Sequence, residues 1–178
     1  MSKESGVLEE ILKAREKRAR MQRELINIYR TTLISFTLNV PGAEKNNPSF
    51  TKIHKIGIYL LEEELKKQNI KLVHKIVQIT ADGDEAFLNV NSDSLSVKKI
   101  TAAIEENHEL GRLFDFDVFN VKGEQVSRRE LGLPERKCLL CNDSAKVCGR
   151  SRKHSVDELL NKIYELIDCY SNLDLNVS

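Results

Sequence analysis

Two carboxylates, Asp115 and Asp117, stand one residue apart in Gly111-Arg112-Leu113-Phe114-Asp115-Phe116-Asp117-Val118. In an extended strand, alternate side chains face the same side. Phe114, Phe116 and Val118 would then enter a core, and both carboxylates would project together from the opposite face. Such a pair can share a divalent cation. Magnesium prefers oxygen ligands and accepts one or two protein carboxylates together with substrate phosphates. It would neutralise charge on a reacting phosphate and on a leaving diphosphate. The competing explanation is an acidic, solvent-facing strand. The interleaved aromatic residues and the adjoining Arg112 weigh against it.

Other segments offer cations and soft ligands. Arg15, Arg18 and Gln22 fall on one face of a predicted helix and could grip phosphates, although a solvated basic face is the commoner outcome. In Asn39-Val40-Pro41-Gly42-Ala43-Glu44-Lys45, Gly42 permits close backbone approach to a ligand and Lys45 could meet a phosphate. A plain connecting loop would look the same. Cys138 and Cys141 have the spacing of a zinc knuckle, and Cys148 and His154 would complete a tetrahedral Cys3His set for structural zinc. Otherwise these cysteines are small buried thiols. Arg128, Arg129, Arg136, Lys137, Lys146, Arg150, Arg152 and Lys153 crowd the same segment, which suits a polyphosphate or an acidic partner. There is no Ser-His-Asp order, Walker loop or Rossmann fingerprint. His54, His74 and His108 read as ordinary histidines, and Cys169 as packing.

The elements that must position these residues follow from periodicity. A long charged helix is predicted over 6–29, then a strand over 31–40 stopped by Pro41-Gly42. A helix over 50–67 and a strand over 70–80 follow. The turn Ala81-Asp82-Gly83-Asp84 leads to a return strand over 86–90. Next come a helix over 94–107, with serines at its start, and a strand over 113–121. Ser155 and Glu158 fit a capping box opening a final amphipathic helix. The central order βαββαβ predicts an α+β fold with a ferredoxin-like split βαβ core, flanked by an N-terminal and a C-terminal helix. That topology makes the first and last strands antiparallel neighbours, which would bring Gly42 and Lys45 close to Gly111 and Arg112.

Bulk properties narrow the classes. With 178 residues, 40% hydrophobic and 31% charged, the chain suits one soluble domain (1–178) with a Cys-rich basic loop at 128–154. The net charge of +1 speaks against binding nucleic acid through its phosphates. No apolar run reaches membrane-spanning length, and the first residues lack the marks of a signal peptide. A cytoplasmic protein with reduced cysteines and no membrane partner is expected.

Together these segments resemble the apo-citrate lyase phosphoribosyl-dephospho-CoA transferases, also called holo-citrate lyase synthases. The resemblance spans nearly the whole chain. It runs through Ile11-Leu12, Arg15-Glu16-Lys17-Arg18 and Gln22, then Leu38-Asn39-Val40-Pro41-Gly42 and Lys45. It continues through Gly111 to Val118, Arg129 and Leu131-Gly132. It ends with Arg136-Lys137-Cys138-Leu139-Leu140-Cys141, Ala145, Cys148, Arg150-Ser151-Arg152 and His154. The resemblance implies a nucleotidyltransferase. A 2′-(5″-triphosphoribosyl)-3′-dephospho-CoA donor would lose diphosphate and esterify a serine of the citrate lyase acyl carrier subunit. Asp115 and Asp117 would be catalytic and hold magnesium. Arg112, Lys45 and some of Arg15, Arg18, Arg150 and Arg152 would bind phosphate oxygens. Two other readings remain. One is a different metal-dependent nucleotidyltransferase, such as a malonate decarboxylase carrier synthase; the other is a non-enzymatic zinc-knuckle binding protein.

Overall fold

The computed structural model describes residues 3–42 and 45–174; Ala43 and Glu44, in the loop predicted after the first strand, lie outside the described residues. The first strand, β1 (Thr32–Leu38), alternates two environments. Ile34 and Phe36 enter the main core, whereas Leu33 joins a second, smaller cluster. This two-sided burial marks a central strand. β1 pairs antiparallel with β3 (Gly83–Asn91) on one side and with β4 (Phe114–Phe119) on the other. β2 (Lys71–Thr80) pairs with β3, and the short β5 (Gln125–Val126) pairs with β4. The sheet is antiparallel throughout, in the order β2-β3-β1-β4-β5.

The described residues form five α-helices: α1 (Lys3–Tyr29), α2 (Pro48–Lys67), α3 (Ser94–Asn107), α4 (Ala145–Ser151) and α5 (Val156–Asp174). The fold class is α+β, as expected. On one sheet face, Ile34, Phe36, Leu88, Phe114, Phe116 and Val118 pack under residues of α2, α3 and α5 in the main core. The approach of α2 depends on Gly57. A Cβ there would lie 2.4 Å from the Phe36 ring, closer than atoms can sit. α1 packs on the other face, where Leu25 and Ile26 cluster with Leu33 and Phe87.

Local chemistry sets the helix ends. Asn47 caps α2 by accepting a 2.8 Å bond from the Ser49 amide, with Pro48 in the first turn. Asp93, rather than one of the serines, caps α3 by accepting from the Ser96 amide. Ser155 and Glu158 form the predicted reciprocal box at α5. The segment after β4, expected to be loop-rich, also holds β5, a 3-10 turn over Arg128–Leu131 and the seven-residue α4. Elements this short carry no readable period. No helix among the described residues is long and apolar enough to cross a membrane.

Candidate active site

β4 carries the site. Phe114, Phe116 and Val118 are buried and alternate with the less buried Asp115 and Asp117. Across the ladder Asp115 faces Thr37 and Asp117 faces Ser35, so both carboxylates lie on the sheet face that α1 crosses. Gln22 of α1 reaches that face and donates a 3.0 Å bond to the Ser35 hydroxyl.

The outer edge of β4 is only partly covered, because β5 pairs with Val118 and Phe119 alone. The Phe116 backbone finds other partners. Its amide donates to Glu105 Oε1 at 3.0 Å, and its carbonyl accepts from Lys98 Nζ at 2.7 Å. Both are charged residues on the buried face of α3. Glu105 is held in turn by Arg128 at 3.1 Å and Arg136 at 2.8 Å, and Arg136 also lies 3.4 Å from Asp115. Gly111 makes this close docking feasible. A Cβ there would lie 2.5 Å from the Glu105 carbonyl oxygen.

Electrostatics separate the two aspartates. Burial, and then the neighbouring Asp115 charge, raise the Asp117 carboxyl to about 6, against the pull of Lys98 and Arg18. Asp115 is 45% exposed at its side chain. Gln125 donates to Asp117 Oδ1 at 2.5 Å. Asp117 is therefore a partly buried carboxylate short of positive charge, an environment that a cation would relieve.

Arg15, Arg18 and Lys45 converge at the other end of the same face, on residues that the sequence did not single out. Asp82, in the β2–β3 turn, meets Arg15 at 2.9 Å, Arg18 at 3.1 Å and Lys45 at 3.2 Å. Arg18 also meets Glu85 of β3 at 3.0 Å. Burial raises the Asp82 carboxyl, but Arg15 and Lys45 outweigh it and leave its pKa lowered. The end of β1 does meet the start of β4, through the Asn39 amide and the Leu113 carbonyl at 2.8 Å. Lys45 nevertheless turns to Asp82, while Arg112 donates to the Lys137 carbonyl. The two cations line separate cavities.

The Cys/His segment also converges. The ligand atoms of Cys138, Cys141, Cys148 and His154 all lie within 4.8 Å of one another, a group that could hold a metal ion. The Cys141 and Cys148 sulfurs are 3.5 Å apart, and His154 Nε2 is 3.3 Å from the Cys141 sulfur. A short hairpin frames the group: Lys137 and Ser144 form a bridge, and the Cys138 amide donates to the Asp143 carbonyl at 2.7 Å. Burial raises the Cys138 thiol, but the Leu140 and Cys141 amides that donate to it win, and its pKa is lowered. Cys148 is pushed up to about 12 by burial and then by the adjacent thiols. Three crowded sulfurs cannot all ionise unless a cation joins them, so the donor set fits a thiophilic dication.

Three cavities meet here. One of about 700 Å³ opens beside Asp115 and Asp117, with Gln125, Ser127, Arg128 and Arg136 on its walls. A second, of about 280 Å³, holds Arg15, Arg18, Lys45 and Asp82, again with Asp115. A third, of about 650 Å³, lies between the Cys/His hairpin and α5 and includes Arg112 and Arg152. Of the remaining predicted residues, Gly42 has a positive φ of 86° and its Cα hydrogen faces Val156. Arg150 is exposed on α4.

The family model described as apo-citrate lyase phosphoribosyl-dephospho-CoA transferase matches residues 7–170, which includes every site residue above. The chain belongs to that family. A Vibrio cholerae protein named "Probable apo-citrate lyase phosphoribosyl-dephospho-CoA transferase" is 39% identical over 165 residues, covering 92% of this chain and 93% of the relative. An Escherichia coli protein named apo-citrate lyase phosphoribosyl-dephospho-CoA transferase is 33% identical over 167 residues, covering 94% and 91%. The Haemophilus influenzae protein CitXG is 37% identical over 159 residues, covering 89% of this chain and 34% of that longer protein.

Proposed function

We propose that this chain transfers the phosphoribosyl-dephospho-CoA group of 2′-(5″-triphosphoribosyl)-3′-dephospho-CoA to a serine of the citrate lyase acyl carrier subunit. The observation that carries the reading is the Asp115–Asp117 pair, set beside a cavity with Arg128 and Arg136, while Asp115 also lines another with Arg15, Arg18 and Lys45. The serine oxygen attacks the phosphorus nearest the ribose. The bond to the next phosphate breaks, diphosphate leaves with the electron pair, and the serine proton passes to a carboxylate or to solvent. The cations orient the triphosphate and stabilise charge on the departing diphosphate. Asp115 and Asp117 would hold magnesium, which supplies charge neutralisation on the phosphates. The burial and the adjacent Asp115 charge that raise Asp117 support that fit. Cys138, Cys141, Cys148 and His154 would hold structural zinc.

The strand order β2-β3-β1-β4, with α2 and α3 as connections, supports a ferredoxin-like split for the core. The first test is diphosphate release on mixing donor with apo carrier subunit. Wild type should release diphosphate only when the carrier is present, and Asp115→Asn should release almost none. Equal release by both proteins would refute the carboxylate mechanism. A non-enzymatic zinc-knuckle protein would release none in any arm.

A further inference from the structure

The three cavities differ in charge. The one beside Asp117 mixes Lys98, Arg128, Arg129, Arg136 and Lys146 with Glu105, Asp115, Asp117 and Glu135. The one at Lys45 balances three cations against Asp82 and Asp115. The third, between the Cys/His hairpin and α5, is lined by Arg112, Arg136, Lys137 and Arg152 and, among the described residues, by no aspartate or glutamate. It also has an aliphatic wall, formed by Leu139, Val156, Leu159 and Ile163. A ligand suited to it must be anionic and must also carry an apolar body. Its volume of about 650 Å³ falls within the usual range for small-molecule sites, roughly 300–1,000 Å³.

Two further features fit a binding role. Arg152, which ends α4, has φ 50° and ψ 40°, a left-handed conformation that non-glycine residues rarely adopt. It thereby lines the cavity from the helix end. Gly149, one turn earlier, also lines it, and a Cβ there would meet nothing within 4 Å.

We infer that this cavity binds the nucleoside end of the donor, the 3′-dephospho-CoA portion, with the adenine or pantetheine body against Leu139, Leu159 and Ile163 and the diphosphate bridge on Arg112 and Arg152. The inference rests on the transfer reaction proposed above and assigns a part of the donor to each cavity. The bare polyphosphate end goes to the polar opening of Arg15, Arg18 and Lys45. Asn39 lines both spaces and Asp115 lines the polar one, so one extended donor can run from the hairpin past Asn39 to the carboxylates. Cys138, Cys148 and His154 form part of the wall. The metal-binding hairpin would thus shape the donor site as well as stabilise the fold.

The test is calorimetric titration of the full-length protein with 3′-dephospho-CoA, which lacks the triphosphate. Wild type should bind it. Arg152→Ala and Leu159→Asp should each weaken binding at least about tenfold, the scale of one lost charge-assisted or well-buried contact. Lys122→Ala, an exposed cation between β4 and β5, should stay within about twofold, which controls for general loss of charge. Thermal melts identify a variant that fails to fold, and Arg152→Ala alters only an exposed side chain. If both variants bind as wild type does, or wild type binds no 3′-dephospho-CoA at millimolar concentration, the cavity assignment is wrong. Carrier modification distinguishes the two claims. Intact transfer without dephospho-CoA binding would remove this inference alone. Binding that is lost in both variants, without any transfer by wild type, would keep the cavity and remove the reaction.

Discussion

The two faces of β4 make opposite demands on one six-residue strand. On one side, Phe114 and Phe116 are buried and stack around Phe36, with the Phe36 and Phe116 rings 4.2 Å apart. On the other, Asp115 and Asp117 stand beside cavities, and Asp117 keeps a raised pKa. The aromatic face fixes where the backbone lies. The acidic face uses that fixed backbone to hold two carboxylates that repel each other. Close aromatic packing therefore supports an unfavourable pair of charges, and the two faces should respond to mutation in opposite ways.

The largest effect should come from breaking the packed face. Phe116→Ala removes a ring stacked on Phe36 and leaves a cavity, at a cost of about 3–5 kcal/mol. Denaturant titration should show the midpoint falling by that amount of free energy. A loss below about 1 kcal/mol would mean that the aromatic stack does not anchor β4.

Breaking the acidic face should spare the fold and remove the chemistry. Asp115→Asn keeps side-chain shape and removes a charge from a half-exposed position. Transfer should fall by roughly 10²–10³-fold, the usual cost of losing an electrostatic group at a reacting centre, with the melting temperature nearly unchanged. A variant that melts much earlier would make Asp115 a structural residue.

Asp117→Asn should sharpen the contrast further, because it should stabilise the protein while inactivating it. Burial and the Asp115 charge raise the folded carboxyl from its ordinary 3.8 to about 6. Above that range the folded state keeps a charge that burial disfavours. Relieving this should contribute about 1 kcal/mol, a rise of roughly 2–4 °C in melting temperature. The sign of the pH dependence follows. As pH falls through about 6, native Asp117 takes up its proton before the unfolded chain does, and wild type gains stability. The gap between variant and wild type should therefore close between about pH 6 and pH 4. A gap that is constant with pH would show that burial does not raise Asp117.

The smallest effect belongs to the packed face. His54 stacks on Phe36, with ring centroids 4.6 Å apart, and burial lowers its pKa. As pH falls below about 6.5, the unfolded chain binds a proton that the native state resists, so stability declines. The Asp117→Asn protein isolates this loss by removing the opposing titration. His54→Gln in that background should flatten the pH dependence between 7 and 5.

The sequence revealed β4 because alternation of two residue classes over six positions has a single geometric reading. It also revealed the four long helices and the Cys/His spacing, but not the seven-residue α4. It did not reveal Asp82 and Glu85. A turn aspartate and a strand glutamate look ordinary until the topology brings α1 across them. Lys98 and Glu105 were missed for another reason. They stand seven residues apart on α3, on the same face as Val97, Thr101 and Ala102, and charges at core spacing were a signal that something polar needed them. That partner, the uncovered edge of β4, depends on β5 being two residues long. The meeting of Lys45 with Asp82 in place of Arg112 depends likewise on where the sheet carries the predicted β2–β3 turn, which no local pattern announces.

The most direct measurement of the central claim is the intact mass of the citrate lyase acyl carrier subunit after incubation with this protein and the triphosphoribosyl donor. The account predicts that the carrier gains the mass of one phosphoribosyl-dephospho-CoA group, located on a serine by fragmentation, with wild type but not with Asp115→Asn or Asp117→Asn. A carrier of unchanged mass with folded wild-type protein, donor and magnesium all present would contradict it.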